Sequence, residues 1–235
     1  MSELTTAAER RMTETRRLLV CGIVAGPVFL VVSLVQAYTR KGFDLARHPI
    51  SLLSLGDLGW LQITNFVVTG ILYLACAIGL RRAAQPGRGA TWGPRLVGAL
   101  GVGLIAAGLF VTDAGGGYPP GAPAGAPPKI SWHGMLHEFG FLIATLGMIV
   151  GCFVFARRFA ALGRRAWMVA SIATPAAVLS FIFWPDLNSL TVRLVIATAI
   201  LFGYVAAVAA QALRDHQELM ATTSAPDRTL GAVPH

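Results

Sequence analysis

The sequence predicts an all-α integral membrane protein, a bundle of six transmembrane helices whose N- and C-termini both lie in the cytoplasm. Composition gives the first evidence, because hydrophobic residues make up 55% of the chain and charged residues only 13%. A typical soluble domain carries about 25% charged residues. The mean hydropathy is +0.64. With 235 residues, the chain has room for one membrane domain with short loops.

Six apolar stretches, each close to the roughly 20 residues that cross a bilayer, predict the helices. The first, 18–38, follows four arginines but is too long for the core of a typical signal peptide, so we expect an uncleaved helix. The second, 60–80, begins at Trp60. The third, 94–112, ends where Asp113 opens a segment rich in Gly and Pro, a composition that excludes regular structure.

Three further stretches follow that segment. The fourth, 132–155, and the fifth, 167–184, each begin at a tryptophan, and the sixth covers 191–213. The chain is therefore expected to consist of three parts: a cytoplasmic N-terminal segment, 1–17; a six-helix transmembrane domain, 18–213; and a disordered cytoplasmic tail, 214–235.

The basic residues set the expected orientation. With the N-terminus inside, the inner segments hold 14 of the 19 Lys and Arg residues, as the positive-inside rule requires. The remaining five lie in the outer loops: Arg40, Lys41, Arg47, Lys129 and Arg193. Every tryptophan falls at a predicted helix end, as in an interfacial aromatic belt. This arrangement explains the net charge of +8 without nucleic acid, so the expected partners are membrane lipids.

Polar side chains gather at the predicted outer face. All histidines outside the tail, His48, His133 and His137, map to this face, together with Asp113 and the fourth-helix residue Glu138. The inner loops offer mainly arginine. Any functional site is therefore expected at the outer ends of the helices.

The fourth helix carries two of these histidines on one face. His133 and His137 are four residues apart, so they stack along the helix. Small residues continue that face in steps of three and four: Gly140, Ala144, Gly147 and Gly151. Small residues at this spacing let a neighbouring backbone approach closely, so we expect the face to pack inside the bundle. Similar small-residue faces offer a route to a protein partner or a homo-oligomer.

The outer polar residues predict one composite site made of His48, Ser51, Asp113, His133, His137 and Glu138. One interpretation is a zinc site, because three imidazoles and the carboxylate of Asp113 form a suitable ligand set. The other is a structural network, in which the histidines cap helix ends and bind loop carbonyls. Asn65, about one turn inside the second helix, also needs a partner, for which the first outer loop is the candidate.

A longer pattern joins these residues. It consists of Arg47-His48-Pro49-Ile50-Ser51-x-Leu53, Gly59-Trp60, Asn65-Phe66, Gly70, Asp113 and His133-Gly134-x-x-His137. This pattern resembles the bacterial membrane family called domain of unknown function (DUF) 998, and the resemblance covers most of residues 17–213. It implies a multi-pass protein of a bacterial plasma membrane and no particular activity.

Two fainter resemblances concern function. The segment around Ile50-Ser51 is similar to the Frag/DRAM/Sfk membrane families, which implies a role in lipid and membrane homeostasis. The combination of a loop histidine, a serine, an aspartate and a His-x3-His pair is similar to the alkaline ceramidase and PAQR receptor superfamily, which implies a membrane hydrolase. Those proteins have seven helices and a Ser-x3-His order, whereas His48 precedes Ser51 here.

Three function classes follow. The first is a membrane component that interacts with lipid or a protein partner through the outer polar site, without catalysis. The second is a metal-dependent hydrolase that acts on a lipid-type substrate. The third is a small-solute transporter, which the apolar middles of helices three to six disfavour because transporters carry polar or broken helices at mid-depth.

Overall fold

The protein is described here from a computed structural model that covers residues 2–224. Its long helices are α1 (Ser2–Thr39), α2 (Gly59–Ala83), α3 (Trp92–Leu109), α4 (Trp132–Ala161), α5 (Arg165–Phe183) and α6 (Leu190–Ser224). Two short 3-10 helices, Ile50–Ser54 and Leu187–Ser189, lie in the connections before α2 and α6. Among the described residues there is no β-strand, and the predicted all-α class is confirmed.

All six long helices meet the requirements for crossing a membrane. Each is long enough, and each contains a sufficiently apolar window with few charges. The least apolar is α3, with a mean hydropathy of 1.4, and the most apolar is α1, with a mean hydropathy of 2.7. The chain is thus a multi-pass membrane protein with six spanning helices, as its hydropathy pattern predicts.

Several helix ends differ from the predicted boundaries. Helix α1 begins at Ser2, well inside the expected N-terminal segment 1–17, and α4 continues to Ala161, past the predicted end at 155. Helix α3 ends at Leu109, because Phe110 turns to an extended conformation and the chain leaves the helix axis before Asp113. Helix α6 continues to Ser224, well into the expected tail, where Asp215 forms an ion pair with Arg164. Residues 225–235 of the expected tail lie outside the described part of the chain.

The helices pack as a closed ring in chain order. Each helix contacts the next one, and α6 returns to contact α1. We call the end where α2, α4 and α6 begin the histidine end, because His48, His133 and His137 lie there. The opposite end, where α3 and α5 begin, is called the arginine end; it includes Arg81 and Arg164.

The small-residue face of α4 packs against α3. Gly140, Ala144 and Gly151 are buried, and the backbone of Gly140 lies directly against Gly103 of α3. His137, on the same face, is only 4% exposed. The prediction that this face points into the bundle is confirmed for these residues.

A buried polar network joins α1 and α2 near the histidine end. Gln62 Oε1 accepts hydrogen bonds from Gln36 Nε2 at 2.8 Å and from Ser33 Oγ at 3.3 Å. Asn65 Nδ2 donates to the Phe29 carbonyl at 3.0 Å and to Ser33 Oγ at 3.1 Å. The expectation that Asn65 binds the first loop is therefore wrong. Its nearest polar groups lie on α1, which packs against the same face of α2.

Candidate functional site

A cavity of about 590 Å³ opens inside the histidine end of the bundle. Its walls come from α3, α4 and α6, and its rim comes from the loops before α2 and α4. The α4 residues that line it share one face: Gly134, His137, Glu138, Phe141, Ala144 and Thr145. The α6 residues do the same: Thr191, Leu194, Val195, Thr198, Leu201 and Phe202.

The floor of the cavity is apolar. Phe29 packs edge-on against Phe66 at 5.1 Å and against Phe202 at 5.4 Å between ring centroids. Leu100 and Leu201 complete the floor and are buried. A ligand in this part of the cavity would therefore meet aromatic and aliphatic surface.

Asp113 lies at the rim, against the first turn of α4. Its carboxylate accepts the backbone N–H of Ser131 at 2.8 Å and sits so close to Gly134 that a side chain there would collide with it. Hydrogen bonds from the side chain and backbone of Ser131, and the nearby His133, lower the pKa of Asp113. A negative charge at a helix N-terminus is also favoured by the helix dipole.

Ser131 starts α4 as its N-cap residue. Its hydroxyl accepts the backbone N–H of Gly134 at 3.0 Å. Ser131 also holds Asp113 through its backbone N–H, because the Gly- and Pro-rich segment folds back onto the start of α4.

His137 connects the cavity wall to the end of α3. Its Nδ1 lies 2.8 Å from the Ala107 carbonyl oxygen and 3.0 Å from that of Phe110. A carbonyl only accepts, so Nδ1 is the donor in both contacts, and Nε2 takes no part in them. His137 thus satisfies carbonyls that the end of α3 leaves without a helical partner.

His133 and His48 bind loop backbone and do not line the cavity. His133 Nδ1 donates to the Val111 carbonyl at 2.7 Å. His48 uses both ring nitrogens: Nδ1 accepts the N–H of Asp44 at 2.9 Å, and Nε2 donates to the Gly116 carbonyl at 2.9 Å. Each of these histidines therefore fastens a connecting segment.

Of the six predicted site residues, the structure places Ser51, Asp113, His137 and Glu138 on the cavity lining. His48 and His133 lie behind the lining, next to Gly116 and Asp113 respectively. Within residues 2–224, no three His, Cys, Asp or Glu side chains are grouped so that they could hold a metal ion. The zinc site stays a prediction, and binding zinc through His48 would break one of its two hydrogen bonds.

Sequence reasoning missed several polar residues. Thr145, Thr191 and Thr198 line the cavity from α4 and α6, and the seven-residue spacing of the two α6 threonines was the available signal. Arg193, predicted as a loop charge, is only 7% exposed. Its guanidinium binds the carbonyls of the α5–α6 connection, including that of Trp184 at 2.9 Å.

Comparison with known proteins assigns the family. The family described as "Protein of unknown function (DUF998)" matches residues 23–211, a range that includes parts of α1 and α6 and everything between them. The chain belongs to this family. The predicted resemblance to DUF998 is thus confirmed. No curated protein and no solved structure matches this DUF998 protein.

Proposed function

We propose that this DUF998 protein binds a single amphiphilic, lipid-type molecule in the cavity, with the tail on the apolar floor and the head at the histidine end. The observation that carries the proposal is the polarity gradient of the cavity. Charged residues Arg47, Asp113 and Glu138 line its rim, whereas Phe66 and Phe202 line its floor. Ligand pockets in proteins measure about 300–1,000 Å³ and combine mostly apolar walls with a few polar groups.

The position of the cavity supports entry from the membrane. Phe141 lines the cavity and is also exposed, nine residues after Trp132. At 1.5 Å per residue this is about 13 Å along the helix, close to half of a hydrocarbon core of roughly 30 Å. None of the described residues of α5 lines the cavity, although α5 lies between α4 and α6 in the ring. We infer that a lipid tail reaches the cavity from the membrane past Phe141.

The same cavity supports a second candidate, a metal-dependent hydrolase acting on a lipid-type substrate. Ser51, Asp113 and His137 line the cavity together, and the free Nε2 of His137 is a potential metal ligand. Zinc that co-purifies with the wild type and is lost on His137→Ala would favour this candidate. Absence of zinc from both proteins would favour binding without catalysis.

We further propose that the membrane is a bacterial plasma membrane and that the arginine end faces the cytoplasm. The distribution of Lys and Arg supports this orientation through the positive-inside rule. In this orientation the cavity mouth lies at the outer leaflet, and the lipid it takes comes from that leaflet.

The proposal is tested by filling the cavity. Val195→Trp places a large ring in the lining, whereas Ile196→Trp changes the next residue, which is exposed and does not line the cavity. Lipid retention would be measured by native mass spectrometry of the purified protein after exposure to a bacterial lipid extract. We expect one lipid per chain on the wild type and on Ile196→Trp, and its loss on Val195→Trp. Equal retention by all three proteins, or none by the wild type, would contradict the proposal.

A further inference from the structure

The rim of the cavity carries one basic side chain that is available to a ligand. Arg40 donates to the Leu55 carbonyl at 3.1 Å and to Gln36 Oε1 at 2.7 Å, and the guanidinium of Arg193 binds backbone carbonyls. Lys41 and Lys129 do not line the cavity. Arg47 lines it and is exposed, and in the described chain its side chain forms no hydrogen bond or ion pair.

The rim also carries one available carboxylate. Asp113 already accepts the hydrogen bond from Ser131 described above. Glu138 lines the cavity, one turn after Gly134, and has no hydrogen-bonding or ionic partner among residues 2–224. Its neighbours Phe139 and Leu142 are exposed apolar residues on the membrane-facing side of α4. Glu138 is exposed as well, and an unpaired carboxylate within a membrane-spanning helix commonly marks a binding function.

A short segment, 113–116, connects the two charges. At one end, Asp113 contacts Ser131 and Gly134 at the start of the helix that carries Glu138. At the other end, the Gly116 carbonyl binds His48, the residue next to Arg47. Three residue steps of chain span at most about 11 Å. The guanidinium and the carboxylate therefore line the same cavity, one on each side of this segment.

We propose that the cavity selects an amphiphile whose headgroup carries both a phosphate and a primary ammonium, as in phosphoethanolamine lipids. This inference rests on the proposed lipid-binding function. The guanidinium of Arg47 presents a planar fork of N–H donors that matches a phosphate. The carboxylate of Glu138 accepts the N–H donors of an ammonium. A headgroup with both charges satisfies both side chains, whereas a phosphate alone leaves Glu138 unpaired.

The test compares lipids that share acyl chains and differ in headgroup. Binding to the detergent-purified protein would be titrated by native mass spectrometry with phosphatidylethanolamine, phosphatidylcholine and phosphatidylglycerol. We expect phosphatidylethanolamine to bind most tightly, because the quaternary amine of phosphatidylcholine has no N–H donor and phosphatidylglycerol has no amine. Glycerophosphoethanolamine, which has the headgroup but no tails, should bind far more weakly than the intact lipid.

Variants at the two charges assign their roles. Arg47→Gln should weaken phosphatidylethanolamine binding about tenfold, the effect of losing a charge-assisted hydrogen bond, and Arg47→Lys should restore part of it. Glu138→Gln should remove the preference for phosphatidylethanolamine over phosphatidylglycerol. The matched controls are Lys129→Gln and Asp57→Asn, which change charges at the same end of the bundle away from the cavity lining. Both controls should bind as the wild type does.

The failures are distinguishable. If the three lipids bind equally and Arg47→Gln behaves as Lys129→Gln does, the headgroup inference is wrong. Cavity binding still stands in that case if Val195→Trp abolishes it. If no lipid binds to the wild type, both the inference and the proposed function are wrong. Equal binding of glycerophosphoethanolamine and the intact lipid would overturn the role of the apolar floor.

Discussion

Gly103 of α3 and Gly140 of α4 touch backbone to backbone where the two helices pack. A Cβ atom on Gly140 would lie 2.8 Å from the carbonyl oxygen of Gly103, and a Cβ on Gly103 would lie closer still to the carbonyl oxygen of Gly140. The obstacle in both directions is backbone, which cannot rotate away as a side chain can. This contact holds together two of the three helices that form the cavity wall.

Alanine at either glycine should therefore destabilise the protein. We expect Gly103→Ala and Gly140→Ala each to lower the free energy of unfolding by about 1–3 kcal/mol, the cost of overpacking a tight contact. Gly147→Ala is the matched control on α4, because its Cβ would meet Ala99 at 3.4 Å, an ordinary contact. Alanine has a higher helix propensity than glycine, by about 1 kcal/mol, so Gly147→Ala should be as stable as the wild type or more stable. Chemical unfolding in detergent micelles would measure the differences, and equal stability of all three variants would contradict the packing argument.

The buried amide network between α1 and α2 should show energetic coupling. Gln36 and Gln62 share a hydrogen bond of 2.8 Å and are both buried. A double-mutant cycle with Gln36→Ala and Gln62→Ala should give a coupling of about 0.6 kcal/mol, the average for hydrogen bonds between membrane helices, and no more than about 1.7 kcal/mol. Thr64, an exposed residue on α2, provides the control cycle with Gln36. Coupling in the control cycle as large as that between the two glutamines would refute this assignment.

The orientation of the bundle stays a prediction that reporter fusions can test. A reporter active only outside the cytoplasm should be inactive at the C-terminus and active when inserted at Gly121, in the loop before α4. Both fusions are needed, because an inactive reporter can mean either that it lies on the inner side or that the fusion is not expressed. Activity at Gly121 shows that the reporter works in this protein. An active reporter at the C-terminus would show that both termini lie outside.

The fold was predictable because its determinants are local. Apolar length, interfacial tryptophans and arginine placement can each be read along the chain, and the structure has a spanning helix at each of the six predicted stretches. The small-residue face of α4 was also predictable, since helical periodicity alone places Gly140 and Ala144 on the side of His137. None of these inferences required knowledge of which helices are neighbours.

The cavity was not predictable in the same way, because it depends on which helix faces meet across the ring. Thr198 and Val195 resemble ordinary membrane-helix residues until α4 is placed opposite them. The partner of Asp113 depends on how a Gly- and Pro-rich segment folds, and periodicity says nothing about that path. His48 was correctly predicted to lie at the same end as His133 and His137. Its hydrogen bond to the Gly116 carbonyl could be assigned only once the path of the Gly- and Pro-rich segment was known.

Asp113 should make stability depend on pH in a defined window. Hydrogen bonds from Ser131, together with the nearby His133, lower the pKa of Asp113 in the folded protein. In an unfolded chain the pKa of an aspartate is about 3.9. Because the folded pKa is lowered, the stabilisation that the Asp113 carboxylate provides is fully present above the unfolded pKa. It is lost as the pH falls through the folded pKa, because the folded state then binds the proton that the unfolded state already holds.

The variant Asp113→Asn isolates this effect. Its Tm should lie below that of the wild type near neutral pH, and the gap should narrow from about pH 4 downward. Asp186 has a lowered pKa for a similar reason, hydrogen bonds from Ser189 and Asn188, so the comparison should be repeated in an Asp186→Asn background. Asp57→Asn serves as a control at an exposed aspartate of the same end. A Tm gap that is independent of pH would mean that the loss comes from packing against Gly134 and not from the charge held at the start of α4.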